Sequence, residues 1–165
     1  MTVAVPRIDN VSYMYPHSNM GHGQEAAKIE ELLEEVFNHV RQSGPFQLTA
    51  EALFEIYKEH SEENWDSQGA KAISKDAYLE ARDFLRLLPT TLPVPEVVPE
   101  PAGEIAMEWY KDREHVFVIS FAGTGIVTFA GLFGPGNTLH GTVVFEDSVP
   151  QIITENIRRL FPSLG

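Results

Sequence analysis

Residues 64–74 read Asn64-Trp65-Asp66-Ser67-Gln68-Gly69-Ala70-Lys71-Ala72-Ile73-Ser74. A tryptophan, a run of turn-forming residues and a serine suited to cap a helix make a joint. On its N-terminal side lies an acidic stretch with helical spacing. On its C-terminal side the apolar period shortens to two. Asp66 can accept backbone amides in the turn and so fix the direction of the helix that follows. Trp65 can bury a large area, provided its indole N–H finds an acceptor. Lys71 can pair with Asp66 or with an outside anion. Trp65, Asp66 and Lys71 are therefore candidate binding residues, although a packed, purely structural tryptophan is the stronger reading.

Before the joint, Ala26, Ile29, Leu32, Leu33, Val36, Phe37 and Val40 recur at helical spacing, and Ser43-Gly44-Pro45 stops the run. Glu30, Glu31 and Glu34 lie among the acids on its other side. They read as a solvated face and, if functional, as a contact surface for a basic partner. A second helix is expected after Thr49, taken as its N-cap, ending near His60. A third is expected from Ser74 to Pro89, with Ala77, Tyr78, Ala81, Phe84, Leu85 and Leu88 as its apolar side.

Pro89, Pro93, Pro95, Pro99 and Pro101 mark an extended crossing that Val94, Val97 and Val98 can tack to the core or turn into a short edge strand. Beyond it, Ile105 to Tyr110 alternates, with Trp109 and Tyr110 on opposite faces. Only one of these two aromatics can enter the core, so the other is a candidate partner-binding residue. His115–Phe121 is almost continuously apolar. Gly123-Thr124-Gly125 and Gly134-Pro135-Gly136-Asn137 read as turns, and Gly131 and Gly141 as further turn or bulge positions. Ser148 or Asp147 is expected to cap a closing helix with Pro150 in its first turn. Its apolar side would be Ile152, Ile153, Ile157, Leu160 and Phe161. The fold class is thus α+β: a four-stranded antiparallel meander packed against N-terminal helices, with a short C-terminal helix. Residues 1–23, without period, read as an extended or partly disordered arm, and 24–165 as one domain.

The chain of 165 residues, 43% hydrophobic, is long enough to bury one sizeable core. The formal charge of -12, from 24 acids and 12 bases, disfavours nucleic acid and anionic membranes and favours a basic protein partner. With no cysteine, disulfides, thiolate metal sites and a cysteine nucleophile are excluded. Neither a transmembrane stretch nor a secretory signal is expected, and the cytoplasm is the expected location. His17 and His22 match no metal spacing, so no metal or cofactor is expected. Gly123-Thr124-Gly125 resembles a phosphate loop only faintly, because a strand rather than a helix follows it. Ser120 with His115 and His140 makes an imaginable nucleophile–base set, but no nucleophile elbow is present. No catalytic residue is assigned.

The joint resembles a pattern in a family of small, uncharacterised bacterial proteins: Trp-Asp-Gly-x-Gly-Ala-x-Pro, a helix ending Leu-Leu-Pro, a Pro-rich stretch and a Glu-Trp strand. The matching residues are Trp65-Asp66, Gly69-Ala70, Leu87-Leu88-Pro89 and Glu108-Trp109, within about residues 60–130. Ser67 stands where the family has Gly, and Ala72 where it often has Pro, which implies a less sharply turned loop. The resemblance implies a small bacterial or phage-related cytoplasmic protein and brings no activity. Two functional expectations follow from the residues. The first is a non-catalytic acidic interaction protein, an inhibitor or antitoxin-like partner of a basic protein, with homodimerisation through a sheet edge or the first helix as a further option. The alternative is a small-ligand-binding or hydrolytic domain with Asp66, Lys71, His115 and His140 gathered between the Trp65 loop and the sheet.

Overall fold

The computed structural model describes Gly44 and residues 46–162. The expected N-terminal arm, the helix over 24–42 with Glu30, Glu31 and Glu34, and His17 and His22 lie outside the described residues. Within them run α1 (Gln47–Glu59), α2 (Lys75–Leu87), β1 (Glu96–Pro99), β2 (Ile105–Asp112), β3 (His115–Phe121), β4 (Ile126–Phe133), β5 (Thr138–Val144) and α3 (Gln151–Leu160). All strand pairs are antiparallel, in the sequential order β1-β2-β3-β4-β5.

The sheet therefore has five strands where sequence periodicity gives four. The Pro-rich crossing supplies the fifth. Val97 pairs with Met107 and Pro99 with Ile105. An edge strand is hydrogen-bonded on one side only, so it tolerates proline.

Side chains alternate across this sheet, and one face is core. Three rows cross it: Ile105–Phe121–Val127, Met107–Ile119–Phe129 and Trp109–Phe117–Gly131. Apart from Gly131, every residue of these rows is at least nine-tenths buried. Gly131 and Gly141 prove to be strand interior, not turn or bulge residues. A Cβ on Gly141 would lie 2.8 Å from the Phe129 ring, and one on Gly131 2.6 Å from the Phe133 ring. The rings occupy the space that the missing side chains leave.

Helix α2 covers this face. Ser74 caps it as expected, its hydroxyl accepting from the Ala77 amide at 3.0 Å. Ala77 and Ala81 are fully buried and small enough to let the helix lie close. Phe84 inserts between Phe121 and Phe145, with ring centroids 5.1 and 5.4 Å apart. One bond pair fixes the register of helix on sheet. Glu80 accepts from the amides of Gly123 (2.6 Å) and Gly125 (2.7 Å) in the β3–β4 turn. Both glycines have positive φ, 79° and 75°, which aims their amides at one point. The glycine turn is an anion cradle, and the protein's own carboxylate fills it.

Helix α1 packs on α2 and β1, with Leu53 fully buried. Its start departs from expectation. Gln47 is the first helical residue and Phe46 the N-cap, with no side-chain cap bond. Thr49 lies inside the helix and is buried, because the Leu53 face includes it. Helix α3 packs on β3 and β4 through Ile153, Ile157 and Leu160. Pro150 is its N-cap rather than a first-turn residue, and neither Asp147 nor Ser148 caps it. Ile152 is exposed, whereas Thr154 and Asn156 are buried and donate to the carbonyls of Gln151 and Ile152.

Glu80→Gln leaves one amide of the turn facing an NH2 group and should lower stability by about 2 kcal/mol, the scale of a lost charged hydrogen bond. Gly123→Ala should cost more. Its Cβ would meet the Ala77 nitrogen at 2.5 Å and the Asp76 carbonyl carbon at 2.6 Å, both backbone atoms. Urea unfolding of the two variants against the parent chain measures both effects.

Candidate interaction surfaces

The Trp65 loop is a self-contained turn. Asp66 Oδ1 accepts from the amides of Gln68 (2.7 Å) and Ala70 (3.0 Å), and Asn64 Oδ1 accepts from Gly69 (2.8 Å). The Trp65 indole N–H donates to the Lys71 carbonyl at 2.9 Å, and its ring meets the His60 ring edge to face, 4.4 Å between centroids. Asn64, Ser67 and Gly69 all have positive φ (62°, 61° and 96°). The loop is thus sharply turned despite Ser67, contrary to the expectation of a slacker one: the Asp66 and Asn64 acceptors hold it. Trp65 is only half-buried. Besides that ring contact, two backbone bonds join the loop to its surroundings: Ile73 N–H to the His60 carbonyl and Lys71 N–H to the Pro101 carbonyl, each 2.9 Å.

Trp109 is the tryptophan in the core, 1% exposed, and its indole N–H donates to the Pro93 carbonyl at 2.8 Å. It pins the Pro-rich crossing to the sheet. Tyr110 is the exposed aromatic of the pair, at 55%.

The four residues of the ligand-site alternative are not brought together. Asp66 and Lys71 sit in the loop bonded to Pro101, beside the β1–β2 turn. His115 begins β3 at the other end of β2, roughly 23 Å away at about 3.3 Å per residue. His140 lies on β5 opposite Ala130, on the sheet face away from the core. His115 Nδ1 is 2.8 Å from Asp112 Oδ1, beside an open depression of about 600 Å³ lined by Asp112, Arg113, Glu114 and His115. That hydrogen bond, followed by the Glu114 amide, holds the Asp112 carboxyl below its ordinary range. Ser120 is five positions along β3 from His115 and on the opposite face. Glu104 is the opposite case. Partial burial and the neighbouring Glu100 carboxylate raise its pKa at the β1–β2 turn.

No family model, curated protein or solved structure matches the chain. Among the described residues no group of three or more side chains could hold a metal ion, and no helix is long and apolar enough to cross a membrane.

Three surfaces remain. The first is the outer side of α1, where Glu51, Glu55 and Glu59 stand four residues apart and Glu62 and Glu63 follow, all exposed. Leu48 (77%) and Phe54 (47%) are exposed on the same helix. The second is the outer face of the sheet, where Val98, Tyr110, Ile126, Leu132 and Val144 are its exposed large hydrophobics. Glu96 and Glu108 oppose each other at its β1 margin. From β3 to β5 the face carries no charged residue: Val116, Val118 and Ser120, then Thr128, Ala130 and Leu132, then Thr138, His140, Thr142 and Val144. The third is the outer edge of β5, with which no strand pairs among the described residues. Sequence reading singled out Tyr110 as a contact residue, and Ser120 and His140 only as a nucleophile–base option, but not the outer sheet face as a surface. The signal was present, since every second residue from Val116 to Ser120 and from Ile126 to Leu132 is uncharged.

Asp66 predicts a pH effect. The Ala70 amide first, then the Gln68 amide, hold its carboxyl below the ordinary 3.8. A depressed folded pKa stabilises the loop above the unfolded value and is lost as pH falls through the folded one. In an NMR titration, the Gln68 and Ala70 amides should shift together with a midpoint below 3.8, and Asp66→Asn should abolish that step. At Ser67, which is exposed, Val should lower urea-unfolding stability by about 1 kcal/mol and Gly should not, because at positive φ a β-branched side chain is crowded more than serine and glycine has no Cβ to crowd.

Proposed function

We propose that this chain is a non-catalytic interaction protein that binds a basic protein, in the manner of an inhibitor or antitoxin-like partner. The observation that carries the reading is the glutamate column of α1, Glu51–Glu55–Glu59, exposed along its length beside Leu48 and Phe54. Like charges four residues apart destabilise a helix by about 0.2–0.5 kcal/mol per pair. Lys58, 3.6 Å from Glu55, offsets part of that repulsion, and both side chains of the pair are more than half exposed. A cationic surface laid on the column relieves the rest, and the two apolar side chains give such a partner something to bury. The net charge of -12 steers a basic protein towards the chain and repels nucleic acid. A bacterial, cytoplasmic setting belongs to the same reading.

The full chain, immobilised, should retain a stoichiometric protein from native lysate at about 0.1 M salt and release it near 0.5 M, where the Debye length falls to about 4 Å. Glu51→Gln/Glu55→Gln/Glu59→Gln should weaken that complex at least tenfold while leaving the unfolding midpoint within a few degrees. Recovery of no partner at any salt, or a complex indifferent to salt and to the triple variant, would overturn the reading.

A further inference from the structure

The two edges of the sheet are built differently. β1 is four residues long, follows Pro95, ends on Pro99 and has α1 packed on it. Each of these devices stops a strand from recruiting another. Among the described residues β5 has none of them. Its seven residues, Thr138-Leu139-His140-Gly141-Thr142-Val143-Val144, include no proline and no acidic residue, lysine or arginine. Its ladder with β4 runs seven pairs without a bulge, so its backbone is regular. Among the described residues no strand pairs with its outer side, and α3 sits over β3 and β4. Leu139 and Val143, the core-side residues that flank Gly141, are only half-buried.

We infer that β5 is a self-pairing edge: two copies of the chain join β5 to β5 antiparallel, about a twofold axis through Gly141, into one ten-stranded sheet. A twofold axis perpendicular to the sheet puts both helical layers on the same side and keeps like faces together. In this register Leu139 meets Val143 of the second copy on the core side, so two apolar side chains gain cover at each end. On the outer side His140 meets Thr142 of the second copy, and Thr138 meets its Val144. No like-charge pair arises at any position. This matters for a chain of charge -12, in which a self-contact through the α1 glutamates would oppose carboxylates. The two uncharged outer faces then become continuous. Because the copies repel at long range and touch without charges, added salt tightens this contact, whereas it weakens a contact through the α1 glutamates.

Sedimentation equilibrium on the full chain from about 1 to 200 μM tests the pairing. The expected result is a shift from 18.5 kDa towards about 37 kDa, with a dissociation constant that falls as salt rises from about 0.05 to 0.5 M. His140→Glu/Thr142→Glu and His140→Lys/Thr142→Lys change exposed side chains only. Each double variant should weaken the dimer about a hundredfold, and an equimolar mixture of the two should restore it, since positions 140 and 142 oppose each other across the axis. Amide hydrogen exchange in β5 should slow with protein concentration. A monomer at every concentration and salt, a dimer indifferent to both double variants, or β5 exchange independent of concentration would each overturn the inference. Loss of a different captured protein from His140→Glu/Thr142→Glu, with the parent chain monomeric, would assign the edge to that protein and overturn self-pairing. None of these outcomes touches the α1 reading, whose complex depends on salt in the opposite sense.

Discussion

Glu80 reaches from the middle of α2 into the β3–β4 turn, and its two oxygens take the amides of Gly123 and Gly125. A helix packed on a sheet by apolar contact alone can slide or rotate at little cost, because dispersion and area burial are not directional. Two charge-assisted hydrogen bonds at fixed angles remove that freedom. The tight approach of Gly123 to the first turn of α2 removes more of it. With α2 so placed, Ala77 and Ala81 face inward and Phe84 is delivered between Phe121 and Phe145. The same placement assigns one face of the sheet to the core, and among the described residues no helix covers the other.

Charge is then sorted by surface. Carboxylates line the outer side of α1 and the turns beyond it, while the outer sheet face from β3 to β5 and the β5 edge carry none. A protein that needed acidity only for solubility could scatter its acids over both. The proposed roles follow this sorting: long-range attraction for a basic partner on one side, short-range backbone pairing with a second copy on the other. The two kinds of contact respond oppositely to salt because one gains from unscreened charge and the other suffers from it.

The two tryptophans show how far a local pattern reaches. Trp65 lies in the most distinctive stretch of the sequence, yet it is half-buried, and its indole closes its own loop on the Lys71 carbonyl. Trp109, in an ordinary alternating strand, is buried and anchors the Pro-rich crossing at Pro93. Alternation correctly separated Trp109 from Tyr110 without saying which face was covered. Thr49 misled for a related reason: a hydroxyl that can cap a helix can equally well be buried inside one. Gly131 and Gly141 misled because a glycine under an aromatic ring and a glycine in a turn look alike in one dimension.

The sequence by itself determined what depends on neighbours along the chain: the helix from Ser74 to the prolines, the period-two strands, the tight turns between them and an α+β layout. Tertiary structure alone decided what depends on residues far apart. It made a fifth strand of part of the Pro-rich crossing, because pairing with β2 satisfies the backbone of Glu96–Pro99. It filled a glycine cradle with Glu80, forty-three and forty-five residues away. It separated His115 and His140 from Asp66 and Lys71, and among the described residues it left the outer side of β5 without a paired strand. Spacing encodes the periodicity of a helix or strand, but which face is covered and which edge stays open depends on contacts between segments that no local window contains.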